Sequence, residues 1–414
     1  MAIRTGKHRR LAMAGCAVAA ALGLAACGGG SSSSSSGTSV PNLSVKSFDN
    51  SFKAMDQLKA TTSAGKGLVG VILPDTTSST RYVNFDAPYL TKAFQRAGYS
   101  SSDFKIDNAQ GSDATQLADA QSDITLGAKV LIFDPLDSTV GAQIQQLAQS
   151  HGVKTISYDR ATFTGSNVYY VSFDNVLVGK LIGQGFESCV QGWNVSKPQV
   201  FVLNGGQDTD PNAVSFAQGY NSVIWGNETT PQKPGTTNSK GYTLVGDQIT
   251  PNWVNATGGA IFQQQFTAHP NINATVEAND GLANAVINVL KNSGVAAKKI
   301  PTTGQDATPD GMANTLLGYQ CGSVYKPIYL EAQDAVAIAT ILRAGQTPPS
   351  SLINAKTTPP QNVSGSEQPA SLLTPVWVDS SNMNNTVIKD QFVNAGTLCA
   401  RVGASVCSSA GIQS

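Results

Sequence analysis

Histidine is scarce in this chain. Three occur in 414 residues, His8, His151 and His269, and no two lie close in sequence. Imidazole metal sites and Ser-His-Asp catalysis therefore have little to build on. No C-x-x-C pair occurs, so zinc and thioredoxin-type redox centres have no support. Net charge is also lacking, with 27 Lys+Arg against 27 Asp+Glu and only 13% charged residues, which excludes the electrostatic footprint of a nucleic-acid binder. No nucleophile elbow, phosphate-binding loop or metal cluster is present. The pattern predicts neither an enzyme nor a cofactor or metal.

What is present begins with a targeting segment. Arg4, Lys7, Arg9 and Arg10 form a basic head, and Leu11 to Ala26 is an apolar run too short and too rich in Ala and Gly for a permanent membrane span. The run ends Leu24-Ala25-Ala26-Cys27-Gly28, which resembles a bacterial lipobox, so residues 1–26 are expected to be a lipoprotein signal peptide and Cys27 its lipidated residue. The Arg9-Arg10 pair is compatible with either the general or the twin-arginine export route. Residues 28–37 are Gly, Ser and nothing else, a tether of roughly 15–20 Å r.m.s. reach. The expected location is the extracytoplasmic face of the cell membrane, held there by lipid. Four cysteines remain for this oxidising compartment: Cys189, Cys321, Cys399 and Cys407. They allow three pairings. Cys399 and Cys407 are near enough to close a small loop, which would leave Cys189 with Cys321.

From Leu68 onward, short apolar runs alternate with amphipathic stretches. Leu68 to Leu73, Phe104 to Asp107, Lys129 to Phe133 and Val153 to Ser157 read as strands. Helical spacing falls between them at Leu90, Ala93, Phe94 and Ala97, at Leu117, Ala120 and Ile124, and at Val140, Ile144 and Leu147. The rhythm restarts with strands at Gln199 to Leu203, Tyr242 to Ile249 and Ala274 to Ala278, and Leu372 to Val378 reads as a late edge strand because of Pro375. Residues 228–241 and 346–370 read as surface insertions. Such alternation predicts right-handed crossovers and parallel sheets, in two Rossmann-like α/β lobes rather than one very wide sheet.

Most of the strands end in polar residues: Asp75 with Arg81, Asp134, Asp159-Arg160, Asp174-Asn175, Asn212, Asn279-Asp280, Gln305-Asp306 and Lys326. One such residue reads as a helix cap. The recurrence does not, since Arg160, Gln305 and Lys326 are poor caps. Carboxyl ends of strands are where open α/β sheets bind ligands, and carboxylates, amides, Arg and Lys together match a ligand with many hydroxyls. Trp253, Tyr82 and Phe85 are candidates to cover a sugar ring. Residues 161–167 read as a hinge, and 168–175 as the start of the second lobe. Asp174-Asn175 could grip ligand, brace the hinge or cap a helix.

At these residues the chain resembles a family. S-Y-D-R (157–160), S-F-D-N (172–175), D-P-N-A (210–213), Trp253 after G-D-Q (246–248), A-N-D (278–280), G-Q-D (304–306) and V-Y-K-P (324–327) are similar to segments of the sugar-binding proteins of ABC transporters with the type I periplasmic-binding fold, its xylose-binding branch above all. The resemblance implies a multi-strand hinge between an N-terminal lobe (45–161 plus 327–350) and a C-terminal lobe (162–326 plus 351–414), following a 27–44 anchor and tether. It also implies ligand contacts at Arg81, Tyr82, Arg160, Asn212, Trp253, Asn279, Asp306 and Lys326, to which Asp159 is added by its place beside Arg160. Two departures bear on which sugar is bound: small polar residues fill the loop P-D-T-T-S-S-T-R-Y, and Tyr82 stands where that branch tends to have Trp. The function implied is a monomeric lipoprotein that captures a monosaccharide, xylose or a similar aldose, and delivers it to an ABC permease. A sensor presenting its sugar to a membrane receptor is the alternative. A carbohydrate-active enzyme using carboxylates such as Asp159 and Asp306 is disfavoured, because Arg160 should keep Asp159 ionised.

Overall fold

The computed structural model describes residues 39–163, 168–207, 210–226, 233–360 and 363–413. The basic head, the apolar run, Cys27 and the Gly/Ser tether lie outside the described residues, as do 164–167 of the expected hinge. Among the described residues no helix is long and apolar enough to cross a membrane.

In the first sheet the central runs Leu68–Leu73 and Ala128–Phe133 are almost wholly apolar and buried, as parallel strands covered on both faces require, whereas the edge run Phe104–Asn108 carries Lys105, Asp107 and Asn108 and is only half-buried. The strands of this sheet are β1 (Leu68–Leu73), β2 (Phe104–Asn108), β3 (Ala128–Phe133), β4 (Lys154–Tyr158) and β5 (Val168–Phe173), all mutually parallel. The second sheet holds β6 (Gln199–Gly205), β7 (Thr243–Thr250) and β8 (Ala274–Glu277) in the parallel order β7-β6-β8. Beside β8 runs the segment 301–305, whose Pro301 carbonyl accepts from Thr275 N at 2.9 Å. Gln305 then bridges to Val324 of β9 (Ser323–Tyr325). The chain closes both layers late. β10 (Ala355–Thr357) and β11 (Gln368–Leu373) join the first sheet, whose order is β10-β11-β5-β4-β3-β1-β2, while β12 (Val376–Val378) pairs antiparallel with β9.

This topology corrects three expectations. Residues 168–173 do not open the second lobe: Val168–Phe173 is hydrogen-bonded between β4 and β11, so the chain leaves the first sheet at Asp174 and not at 161. The run Leu372 to Val378 is not one edge strand. It divides at Thr374-Pro375, where proline has no N–H to continue a ladder, and its halves serve different sheets. Residues 346–370 are not merely an insertion, since they carry β10 and the start of β11. The chain therefore passes between the layers three times, near Asp174, between β9 and the helix Ile328–Arg343, and at Thr374-Pro375. Both layers belong to one compact unit, Thr38–Ser414.

The helix Ile328–Arg343 is buried at every position from Glu331 to Arg343, as an element inside a domain must be, and carries no polar face to the solvent. It anchors a cluster with Leu43, Phe48, Phe52, Met55 and Leu58 of the N-terminal arm. The second lobe's core is completed by the C-terminal arm, through Val387, Phe392, Leu398, Val402 and Ile412. The helix Asn175–Gly192 has no sequence signal of its own because glycine interrupts it, yet Gly179 is required there. A Cβ at that position would sit 2.1 Å from the Phe216 carbonyl oxygen of the helix packed against it. Cys189 of this helix is bonded to Cys321, and Cys399 to Cys407, which selects one of the three possible pairings.

Candidate functional site

The carboxyl ends of β1, β4, β6, β7, β8 and β9 converge on one cavity. All nine candidate residues line it: Arg81, Tyr82, Asp159, Arg160, Asn212, Trp253, Asn279, Asp306 and Lys326. Four further residues complete the wall: Ser78, Ser79, Phe216 and Gln305. Of these, Gln305 carried a signal at the end of its apolar run, and Ser78 and Ser79 lay in the first loop. Phe216 reads from its spacing as an ordinary core position, and nothing in the sequence marks its second role.

Asp159 is the centre of the arrangement. Its Oδ1 accepts from Arg81 Nη1 at 2.9 Å, its Oδ2 from the Tyr82 hydroxyl at 3.0 Å, and Lys326 Nζ lies 3.8 Å away. Burial pushes this carboxyl up, but Arg81, Lys326 and Arg160 outweigh it and hold Asp159 well below the usual carboxylate range. It is an ionised acceptor and not a proton donor. The backbone here is left-handed, with φ of 58° at Asp159, 57° at Trp253 and 93° at Asp306. Such conformations cost of order 1–3 kcal/mol each and persist only where the surroundings over-determine them. At Asp159 the surroundings are explicit, since its carbonyl accepts from Tyr170 Oη at 2.7 Å and Asn212 Nδ2 at 3.1 Å.

Arg81 borders the cavity, but its donors are mostly committed elsewhere. Nε and Nη2 hold both oxygens of Asp86 at 2.9 and 2.7 Å, and Nη2 also reaches Glu331 Oε2 at 2.8 Å. With the Asp159 bond, this single guanidinium contacts three buried carboxyl groups, and its geometry makes it a brace for Asp159. Burial pushes Glu331 up to about 8 against the pull of Arg81. Arg160 is held more loosely, with Nη1 at 3.3 Å from Asp134 Oδ1 and Nε at 3.6 Å from Asp210 Oδ2. Both guanidiniums stand over the Tyr82 ring, Arg81 at 5.4 Å and Arg160 at 5.7 Å from its centroid.

On the opposite wall, Lys326 Nζ stands 3.2 Å from Asp306 Oδ1, while Asp306 Oδ2 accepts from Ser79 Oγ at 2.8 Å. Asp306 Oδ1 and Gln305 Oε1 are buried and accept no well-formed hydrogen bond. Asn279 serves in two ways: Oδ1 caps the helix Asp280–Asn292 through Leu282 N, and Nδ2 reaches across to the Ser78 carbonyl at 3.4 Å. Trp253 donates Nε1 to Asp210 Oδ2 at 2.7 Å and rests on Gly205, where a Cβ would fall 1.9 Å from the indole. Only a residue without a side chain lets that ring lie flat on the strand end.

Other candidates have different places. Phe85 does not face the cavity; its ring stacks on Phe392. Asp75 accepts from Thr77 N, Ser78 N and Ser78 Oγ, and so shapes the first loop. Asp174 caps the helix Asn175–Gly192, and Asn175 Nδ2 braces Asn212 through its Oδ1 at 2.8 Å. Among the described residues no group of three His, Cys, Asp or Glu is placed to hold a metal ion. The wall offers alternating donors and acceptors around three aromatic rings. That is the complement of a small polyhydroxylated ring, whose hydroxyls donate and accept and whose C–H faces are apolar.

Comparison with known proteins points the same way. A model of the periplasmic binding protein domain matches residues 69–347. The D-xylose-binding periplasmic protein of Escherichia coli is 33% identical over 288 residues, which cover 69% of this chain and 80% of that one. The multiple sugar-binding periplasmic receptor ChvE of Rhizobium radiobacter is 30% identical over 81% of this chain and 93% of its own. Among solved structures, a carbohydrate transporter solute binding protein from Chloroflexus aurantiacus in complex with D-glucose aligns with a TM-score of 0.65 at 25% identity, over 80% of this chain and 98% of that one.

Proposed function

The chain belongs to the periplasmic binding protein domain family, within its sugar-binding proteins of ABC-transporter type, and from that premise we propose that it captures a monosaccharide, xylose or a similar aldose, between its two lobes and delivers it to an ABC permease. Its relatives are sugar-binding proteins, not enzymes. The observation that carries the proposal is a cavity walled by both sheets in which two buried acceptors, Gln305 Oε1 and Asp306 Oδ1, accept no well-formed hydrogen bond, the second of them only ion-paired to Lys326, beside the donors Arg160, Lys326 and Asn212. A sugar filling it touches both lobes, so its binding energy favours the closed arrangement, which is the form a permease can recognise.

Each side chain has a distinct part in this reading. Asp159 and Asp306 accept from sugar hydroxyls, Arg160, Lys326, Asn212 and Asn279 donate to them, and Trp253, Phe216 and Tyr82 cover the ring. Arg81 holds Asp159 in place. Cys27 would carry the lipid that keeps the protein at the extracytoplasmic face of the membrane, as a monomer on its Gly/Ser tether. A Cys27→Ala protein that still partitioned into detergent with the membrane fraction would refute the anchor.

The test is a thermal-shift screen of residues 38–414 against monosaccharides. At least one aldose should raise the melting temperature, and a shift produced only by some other solute class would end the sugar assignment. Arg160→Ala should abolish the shift while the apo protein stays folded, because burial already favours the neutral form of its partner Asp134, which can take up a proton when the guanidinium is removed. The similarity to a protein named as a receptor supports a second reading, in which the closed form is presented to a membrane receptor. Binding of the loaded protein to a permease in reconstituted vesicles separates the two.

A further inference from the structure

The ligand cavity does not end at Trp253. A second cavity of about 410 Å³ adjoins it and shares three of its residues, Ser78, Arg160 and Trp253. We infer that this outer cavity is a subsite for a second sugar unit joined to the one in the inner cavity, so that the protein takes disaccharides or substituted glycosides as well as a free monosaccharide. The inference rests on the proposed function and extends it to a larger substrate.

Both lobes contribute to the outer wall, Asp137 from the first and Gln207 and Asn252 from the second, so an occupant here, like one in the inner cavity, bridges the cleft. Arg160 is 6% exposed and borders both spaces, and among the described residues its Nη2 makes no hydrogen bond. A donor at that junction lies where an oxygen linking two rings would pass. Trp253 borders both spaces too, and its plane is fixed by the Asp210 bond and the bare backbone of Gly205 beneath it. A flat ring held between two compartments can pack against a C–H face on either side. At the rim, Gln207 Nε2 donates to Asn252 Oδ1 at 2.6 Å. That bond orients the two amides, and among the described residues Gln207 Oε1 and Asn252 Nδ2 are left as a neighbouring acceptor and donor, the pair a sugar hydroxyl satisfies. Asn252 has a φ of 52°, so its side chain is carried on a turn of fixed shape. From the first loop, Ser78, a short side chain, borders both spaces.

Titration calorimetry tests this with the monosaccharide that the thermal screen selects, its methyl glycosides and its disaccharides. At least one disaccharide should bind within about tenfold of the monosaccharide, since the added unit meets complementary groups and not a wall. Gln207→Ala with Asn252→Gly, which keeps the turn conformation, should weaken that disaccharide about fivefold or more and change the monosaccharide less than about twofold. Gln207→Trp, which fills the outer space, should exclude the disaccharide and spare the monosaccharide. If the monosaccharide binds and every disaccharide is refused, or the variants shift both ligands equally, the outer cavity is only a water-filled mouth and the inference is overturned. If no sugar of either size binds, the proposed function fails first and the subsite falls with it.

Discussion

The ring of Phe85 lies over that of Phe392 with centroids 3.9 Å apart and planes 15° from parallel. Phe85 belongs to the helical turn Tyr82–Asp86, and Phe392 to the C-terminal arm that covers the second lobe. Tyr325, the neighbour of Lys326, packs on the same Phe392 with centroids 4.9 Å apart. One aromatic stack therefore adjoins a cavity residue on each wall, Tyr82 and Lys326. Phe392→Ala should cost about 3–5 kcal/mol, the usual loss for a buried aromatic, and lower the midpoint of urea unfolding. It should weaken sugar binding as well, although Phe392 does not touch the cavity.

Arg81 is the charge on which the first wall depends. Arg81→Ala leaves Asp86, Asp159 and Glu331 buried without their common cation, and removing one member of such a group costs about 3–5 kcal/mol. The expected outcome is a protein that unfolds early or fails to accumulate, in contrast to Arg160→Ala. Arg81→Lys should recover only part of the loss, because an ammonium cannot match the forked geometry that serves Asp86. Denaturation curves for the three variants, side by side, distinguish these roles.

The two disulfides should differ in worth. By loop-closure entropy, the Cys189–Cys321 bond, spanning 132 residues, contributes about 5 kcal/mol, and the Cys399–Cys407 bond, spanning 8, about 2.5 kcal/mol. Replacing each pair with serine and comparing melting temperatures should show the larger fall for Cys189 and Cys321.

Stability should decline from mildly acidic to mildly alkaline pH. Burial pushes Glu277 up to about 8 and both Asp280 and Asp334 up to about 7, whereas in the unfolded chain such groups titrate near 4. Between those limits the folded protein holds more protons than the unfolded one, so the free energy of unfolding falls as pH rises. Asp159, shifted the other way, withdraws its contribution only in strong acid. Glu277→Gln, which imitates the protonated side chain, should flatten the decline by up to about 1.4 kcal/mol per pH unit across the window. Melting curves at pH 5.5 and 8 for the two proteins measure it.

The first layer was legible where one residue pattern served one structure. Leu68–Leu73 is a strand with the limits its apolar run sets, and the helix ending before Gly98 follows its i, i+3, i+4, i+7 spacing. The residues gathered at the candidate site were legible because their side chains are polar at the ends of apolar strands, a place where polarity has to be explained. What stayed hidden involved residues with two duties or none of their own. Phe216 is at once a core residue and part of the cavity wall. Asn175–Gly192 is a helix through tertiary packing that tolerates, and at Gly179 demands, glycine. Arg81 looks like a ligand contact in sequence, and nothing there shows that it also holds three carboxyl groups. Thr374-Pro375 does not show, from its neighbours alone, that the strand it interrupts changes sheets.

The division at Pro375 also bears on how the protein comes into being. The first sheet starts at Leu68 and receives β11, which lies between β10 and β5, only from residues 368–373. Synthesis runs from the N-terminus, and domains made of contiguous sequence can fold as they emerge. This layer cannot, because a strand in its interior is made long after β1 to β5, with the whole second sheet in between. The chain is thereby kept from completing its first sheet until residue 373 has been made.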